Sequence, residues 1–156
     1  MRCKGFTLVE LLVTLAVLSV LALGALPLAE LTVQRGREQE LRVALQQIRS
    51  AIDAYKKASD EGRIVRAPDA TGYPPTLEVL AAGVVDAKDA AKRRIYFLRR
   101  VPRDPMFADA GTPDAQTWGL RSYESAPEAP VPGKDVFDIH SRSEGTGLNG
   151  RPYKDW

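Results

Sequence analysis

The sequence has one cysteine and one histidine, and its 22 basic residues nearly balance its 20 acidic ones. One cysteine cannot form an internal disulfide, and a lone histidine, His140, argues against histidine-based metal or triad chemistry. The formal net charge of +2 provides no basic surplus for neutralising phosphates, so nucleic-acid binding is not expected. A hydrolase built on a serine, His140 and Asp138 would need a Gly-x-Ser-x-Gly turn or similar site, which the sequence lacks. These absences argue against an enzyme.

What the chain has instead is a long apolar run near its start. A helix over the 21 residues from Phe6 to Leu26 would rise about 30 Å, the thickness of the hydrocarbon core of a bilayer. Arg2 and Lys4 precede the run, which predicts a cytoplasmic N-terminus with the remainder on the other side. A secretory signal peptide is the alternative, but its apolar stretch would be shorter. The polar residues within the run are Thr7, Glu10, Thr14 and Ser19.

Glu10 is the charged residue of this run. A carboxylate at the centre of a bilayer costs about 2.5–3.5 kcal/mol, which makes Glu10 a candidate functional residue unless it lies near the interface. Gly24 and Pro27 fall near the end of the run, and both weaken a helix. We therefore expect a kink or an unwound stretch within Ser19–Pro27, with a simple bend as the alternative.

An amphipathic helix is predicted beyond Pro27, over about residues 28–60. Its apolar residues recur at spacings of 4, 3, 4 and 3, which is one face of a helix; they are Leu41, Leu45, Ile48, Ile52 and Tyr55. Charged residues occupy the other faces, among them the i,i+4 pair Glu38 and Arg42, worth a few tenths of a kcal/mol. Gly62 is the candidate C-cap.

The sequence pattern of residues 61–156 predicts a small globular head with a C-terminal loop. Thr76 is expected to cap a short helix that ends at Gly83, and residues 95–101 are apolar before a Pro-rich break. Residues 118–124 and 135–141 are expected as strands, the second with Val136, Asp138 and His140 on one face and Phe137 and Ile139 on the other. Trp118 and Phe137 are the expected large core residues. The fold class is therefore α+β: a long N-terminal helix, membrane-spanning in its first half, packed on a small antiparallel sheet.

Residues 4–10 read KGFTLVE, and this segment resembles the prepilin motif of type IV pilins and type II secretion pseudopilins. The resemblance implies that residues 1–5 are a leader that a prepilin peptidase removes after Gly5. Phe6 would become the N-methylated first residue of a transmembrane and assembly helix, residues 6–27. Glu10 would pair with the terminal amine of Phe6 in a neighbouring subunit and thereby specify one axial register. Cleavage would also remove Cys3.

Parts of the head resemble the major, G-type pseudopilin of type II secretion; they are Tyr73-Pro74, residues 98–105, Trp118-Gly119 with Tyr123, residues 135–141 and Asp155-Trp156. The resemblance implies a non-enzymatic subunit of a periplasmic filament that helps to export folded proteins across the outer membrane. Its partners would be other copies of itself, other pseudopilins, the prepilin peptidase and an inner-membrane platform protein. The chain would cross the bacterial inner membrane once, with its head in the periplasm. A type IV pilin for adhesion, motility or DNA uptake is the alternative.

The chain departs from that family in its C-terminal loop. Many G-type pseudopilins bind calcium after the last strand through several aspartates and backbone carbonyls. Here the carboxylates are only Glu144 and Asp155, eleven residues apart, whereas calcium takes 6–8 oxygen ligands. We therefore expect a Gly-rich loop closed by hydrogen bonds and packing and no cofactor, with calcium bound near Glu144 and Asp155 as the weaker alternative.

Overall fold

A computed structural model describes residues 5–156, apart from the side chains of residues 23–28. By its contacts the chain divides after Gly36 into a first unit and a second unit, Arg37–Trp156. Helix α1, Leu8–Asp60, is followed by one short helix and two small antiparallel sheets, which confirms the α+β class. The sequence also predicts a leader that ends at residue 5, a membrane segment that ends at residue 27 and a head that begins after residue 60. This functional division of the chain stays a prediction.

The part of α1 in the second unit supplies the core of the head. All five residues of the predicted apolar stripe are buried, with exposed fractions between 0% and 7%. The helix stops where the sequence indicates, because Gly62 adopts φ +70°, a conformation that favours glycine. The N–H of Gly62 donates to the carbonyl of Ser59 and that of Arg63 to the carbonyl of Ala58, both at 2.9 Å. This pair of bonds is a Schellman motif, which satisfies the last carbonyls of α1.

The short helix α2, Leu77–Ala82, packs Leu77 and Leu80 into the same core. Thr76 occupies the predicted N-cap position, although its hydroxyl makes no capping hydrogen bond. Strand β1, Val84–Val85, pairs with strand β2, Arg94–Ile95, in an antiparallel ladder. The apolar segment after Ile95 does not continue this strand, because the N–H groups of residues 97 and 98 both donate to the carbonyl of Leu80.

The second sheet joins β3, Trp118–Arg121, to β4, Asp138–Ser141, in antiparallel register. Both strands are shorter than predicted, because the backbone after β3 and that of Val136 before β4 bond elsewhere. The N–H of Ser122 donates to the carbonyl of Val131 at 3.0 Å, and that of Tyr123 donates to the carboxylate of Asp135 at 2.9 Å. A side chain and a loop therefore replace the sheet partners that a longer ladder would need.

The predicted alternation along residues 136–140 holds only inside β4. There Ile139 is buried while Asp138 and His140 are half-buried. Val136, expected on the face of Asp138, is instead buried at 1% exposure, because it precedes the strand and its N–H donates to the carbonyl of Pro74. Period-two alternation does not extend beyond regular strand backbone.

Trp118 is a core residue as predicted, at 3% exposure, and its indole N–H donates to the carbonyl of Pro102 at 2.8 Å. The prediction for Phe137 was wrong, since its side chain is only half-buried. Its ring instead lies edge-on to Tyr73, with centroids 5.0 Å apart, and 5.6 Å from Tyr123. These three rings form an aromatic cluster at the margin of the core.

Candidate assembly site

The first turn of α1 is organised by Thr7. The N–H of Glu10 donates to the Thr7 hydroxyl, and the N–H of Leu11 donates to the Thr7 carbonyl, both at 3.2 Å. Thr7 is therefore the N-cap, and its hydroxyl satisfies the amide of Glu10, which would otherwise lack a partner at the helix start. Glu10 lies three residues after this cap, within the first turn, where the helix dipole favours negative charge. The Thr-x-x-Glu spacing could have revealed this cap from the sequence, but the prediction overlooked it.

The side chains of residues 5–22 are all exposed. Among them are eleven large apolar groups, each more than half exposed: Phe6, Leu8, Val9, Leu11, Leu12, Val13, Leu15, Val17, Leu18, Val20 and Leu21. Transferring a Val, Leu or Phe side chain from water to an apolar environment is worth roughly 1.5–3 kcal/mol, so the group together represents more than ~10 kcal/mol of unrealised burial. A surface of this size marks a lipid- or protein-contacting segment.

Polar side chains in residues 5–22 differ in whether they find a hydrogen-bond or charge partner within the helix. The hydroxyl of Thr14 donates to the carbonyl of Leu11 at 3.0 Å, and that of Ser19 donates to the carbonyl of Leu15 at 2.8 Å. Both hydroxyls are thereby compatible with apolar surroundings. Within the described part of the chain, no ion pair includes Glu10. Its carboxylate is the group of this segment that would need an external partner in an apolar environment.

Comparison with known proteins agrees with this arrangement. Residues 1–26 match the family described as "Prokaryotic N-terminal methylation motif". The chain is 26% identical to the type II secretion system core protein G of Klebsiella michiganensis over 136 residues, which cover 85% of this chain and 88% of that protein. It is 30% identical to the protein of the same name from Pectobacterium carotovorum subsp. carotovorum over 112 residues, covering 69% of this chain and 65% of that protein.

The chain is therefore similar in sequence to proteins named type II secretion system core protein G, and it carries the N-terminal methylation motif. No solved structure matches it significantly. The matched motif includes Gly5, Phe6 and Glu10, and both relatives are named as core proteins of a secretion system rather than as enzymes.

Some predictions for this chain stay predictions. Arg2, Cys3 and Lys4 lie outside the described residues. The side chains of Gly24 and Pro27 also lie outside them, and the predicted kink stays a prediction. Across the described residues, no helix combines the length and the apolarity that crossing a membrane requires. The span over residues 6–26 likewise stays a prediction.

The C-terminal loop carries few of the carboxylate oxygens that calcium prefers. Glu144 and Asp155 are both exposed, and the described residues contain no group of three or more acidic, His or Cys side chains that could hold a metal. Two further side-chain oxygens of the loop accept hydrogen bonds: the hydroxyl of Ser143 from the N–H of Gly145, and the amide oxygen of Asn149 from the N–H of Arg151. The loop also carries three basic residues against its two acidic ones; these are Arg142, Arg151 and Lys154. Calcium sites usually contain more carboxylate charge than this, and the absence of a cofactor stays a prediction.

Asp138 is bonded by an arginine of α1. The Asp138 carboxylate accepts a hydrogen bond from Nε of Arg49 at 2.8 Å. Among the described side chains, no serine or threonine hydroxyl bonds to His140. Burial lowers the pKa of His140 below its ordinary value, and the charge of Asp138 only partly opposes this. Burial therefore favours the neutral form of this half-buried imidazole.

Arg49 connects three parts of the head, and nothing in the local sequence indicates this role. Besides Asp138, its guanidinium donates to the carbonyl of Ile139 at 3.0 Å and to the carbonyl of Trp156 at 2.8 Å. It thus fastens α1 to β4 and to the C-terminal residues.

Proposed function

We propose that this chain is a structural subunit of a type II secretion pseudopilus, a periplasmic filament that helps to export folded proteins across the outer membrane. The observation that supports this most strongly is the start of α1, where a prepilin motif leads into an exposed apolar helix with one carboxylate in its first turn. The two relatives support secretion over a surface pilus, because both are named for the type II system.

In this proposal, the prepilin peptidase cuts after Gly5 on the cytoplasmic side and Phe6 is N-methylated. The apolar helix anchors the subunit in the bacterial inner membrane as a single span, with the head in the periplasm. Other copies of this chain, other pseudopilins and a platform protein of the inner membrane are the partners. The chain has no catalytic part in export; it works by assembling.

Assembly would require the apolar helices to pack side by side, since that buries the exposed side chains of residues 6–22. Within such a bundle, burying the Glu10 carboxylate would cost free energy unless a cation paired with it. The terminal amine of Phe6 in the next subunit is that cation. Breaking a buried ion pair by removing one partner costs about 3–5 kcal/mol. At the lower end this would raise the concentration needed for assembly about a hundredfold.

We therefore expect Glu10→Ala to abolish filament assembly while leaving membrane insertion and processing intact. The matched control is Glu30→Ala, which removes an exposed carboxylate from the same helix outside the motif. Filaments would be sheared from cells and counted by electron microscopy, membrane insertion would be followed by carbonate extraction, and mass spectrometry would identify an N-terminal peptide that begins with methylated Phe6. Normal filaments from the Glu10→Ala variant would contradict the register role. A wild-type protein that keeps residues 1–5 would contradict the proposed function.

A further inference from the structure

Glu38 is a buried carboxylate of α1, one residue after the start of the second unit. Its residue exposure is 4%, although the sequence pattern predicted an exposed pair with Arg42. The pair exists, with 3.8 Å between Oε2 of Glu38 and the Arg42 guanidinium. The other carboxylate oxygen, Oε1, accepts the N–H of Leu148 at 2.8 Å and the hydroxyl of Tyr153 at 3.1 Å. One acidic side chain of α1 therefore holds two points of the C-terminal loop.

The loop is shaped so that these two donors reach Glu38. Its ends approach in a bridge between Thr146 and Pro152, and the N–H of Tyr153 donates to the carbonyl of Gly145 at 3.0 Å. Gly147 allows this closure, because a Cβ at that position would lie 2.4 Å from the ring of Trp156.

Two aromatic side chains complete the closure. The rings of Tyr153 and Trp156 contact each other with centroids 5.2 Å apart, and the Arg42 guanidinium lies 4.5 Å from the centre of the Trp156 ring. Glu38, Arg42, Tyr153 and Trp156 thus form one connected group between α1 and the C-terminal loop.

Hydrogen bonds to a charged acceptor are about twice as strong as those between neutral groups, and a buried carboxylate without donors would be strongly unfavourable. Glu38 and its donors therefore depend on each other: the loop satisfies the carboxylate, and the carboxylate orders the loop. A bound cation performs the same task by drawing loop oxygens together, but here the carbonyl of Gly145 and that of Arg151 already accept N–H groups of the loop itself.

We propose that Glu38 takes the place of a metal ion, so that the C-terminal loop of this pseudopilin-like chain closes onto α1 without calcium. The carboxylate comes from the helix rather than from the loop, and it binds N–H and O–H donors rather than a cation. The inference does not depend on the secretion role, because it concerns the folding of the head alone.

The test compares the full-length chain in detergent with three variants: Glu38→Ala, Glu38→Gln and the control Glu40→Ala, an exposed carboxylate two residues away. Amide hydrogen exchange at Leu148 is the main readout. We expect exchange roughly tenfold to a hundredfold faster in Glu38→Ala, near-normal exchange in Glu40→Ala, and an intermediate rate in Glu38→Gln, because glutamine keeps one acceptor oxygen.

A second arm uses calcium chloride and EDTA on the wild-type chain. We expect the same melting midpoint and the same Leu148 exchange in both, and no binding heat when calcium chloride is titrated alone. Calcium binding that raises the midpoint or slows that exchange would overturn the proposal, as would unchanged exchange in Glu38→Ala. Should Glu38→Ala fail to fold, Tyr153→Phe removes one donor only, and it must still accelerate Leu148 exchange.

Discussion

Gly119 lies on β3 of the second sheet, beneath the ring of a residue on β4. It stands opposite His140 in the register of β3 and β4. A Cβ at this position would come within 2.1 Å of Nε2 of the His140 imidazole, a distance that no pair of non-bonded atoms tolerates. An alanine here must therefore push the imidazole out of its half-buried position.

Inserting a methyl group into a packed site costs typically about 1–3 kcal/mol. We expect Gly119→Ala to lower the free energy of unfolding by that amount, since the imidazole can move part of the way toward solvent. For a head of this size the melting midpoint would fall by roughly 4 °C per kcal/mol. Gly111→Ala is the matched control, because its Cβ would meet only Asp109 at 3.4 Å, an ordinary contact.

A double-mutant cycle with His140→Ala isolates the contact. Thermal and denaturant unfolding, followed by circular dichroism, would be measured for both single variants and the double variant. Because removing the ring removes the clash, the double variant should be more stable than the sum of the single effects by about 1 kcal/mol or more. Wild-type stability in Gly119→Ala, or strict additivity in the cycle, would refute the reasoning.

Two further predictions concern the head. Ile48→Ala should lower the free energy of unfolding by about 2–5 kcal/mol, because Ile48 is fully buried. Val43→Ala, at an exposed position of the same helix, should change it little. Both variants would be measured by denaturant unfolding, and equal losses of stability would contradict the assignment of the apolar stripe to the core. The pKa of His140 is lowered chiefly by burial, with Asp138 raising and Arg49 lowering it. The unfolded chain therefore binds a proton more readily, and stability should fall as the pH drops below the ordinary histidine pKa of about 6.5. His140→Gln should flatten the dependence of stability on pH between about pH 7.5 and 5. An unchanged slope in this variant would contradict the role given to His140.

The apolar stripe of α1 and its stop at Gly62 were predictable because both depend on neighbours within one or two helical turns. Strands β3 and β4 were predicted in the right places, but each is three residues shorter in the structure than the sequence pattern predicted. β3 ends where the N–H of Ser122 donates to Val131 and the N–H of Tyr123 donates to the carboxylate of Asp135. Residue patterns do not show that a loop or a side chain will replace a sheet partner. Phe137 was misjudged for a related reason, since its neighbours Tyr73 and Tyr123 are distant in sequence.

The sequence by itself determined the features that a linear pattern can carry. The segment KGFTLVE, the apolar run behind it and the helical period of residues 41–55 each arise from residues a few positions apart, and they predict the assembly segment and the α+β class. Only the tertiary structure decided what Glu38 and Gly119 do. Glu38 meets partners 110 and 115 residues away, and Gly119 makes room for a ring on another strand. Such contacts depend on how the whole head closes, because burial and hydrogen-bond partners at that separation are set by packing rather than by local preference.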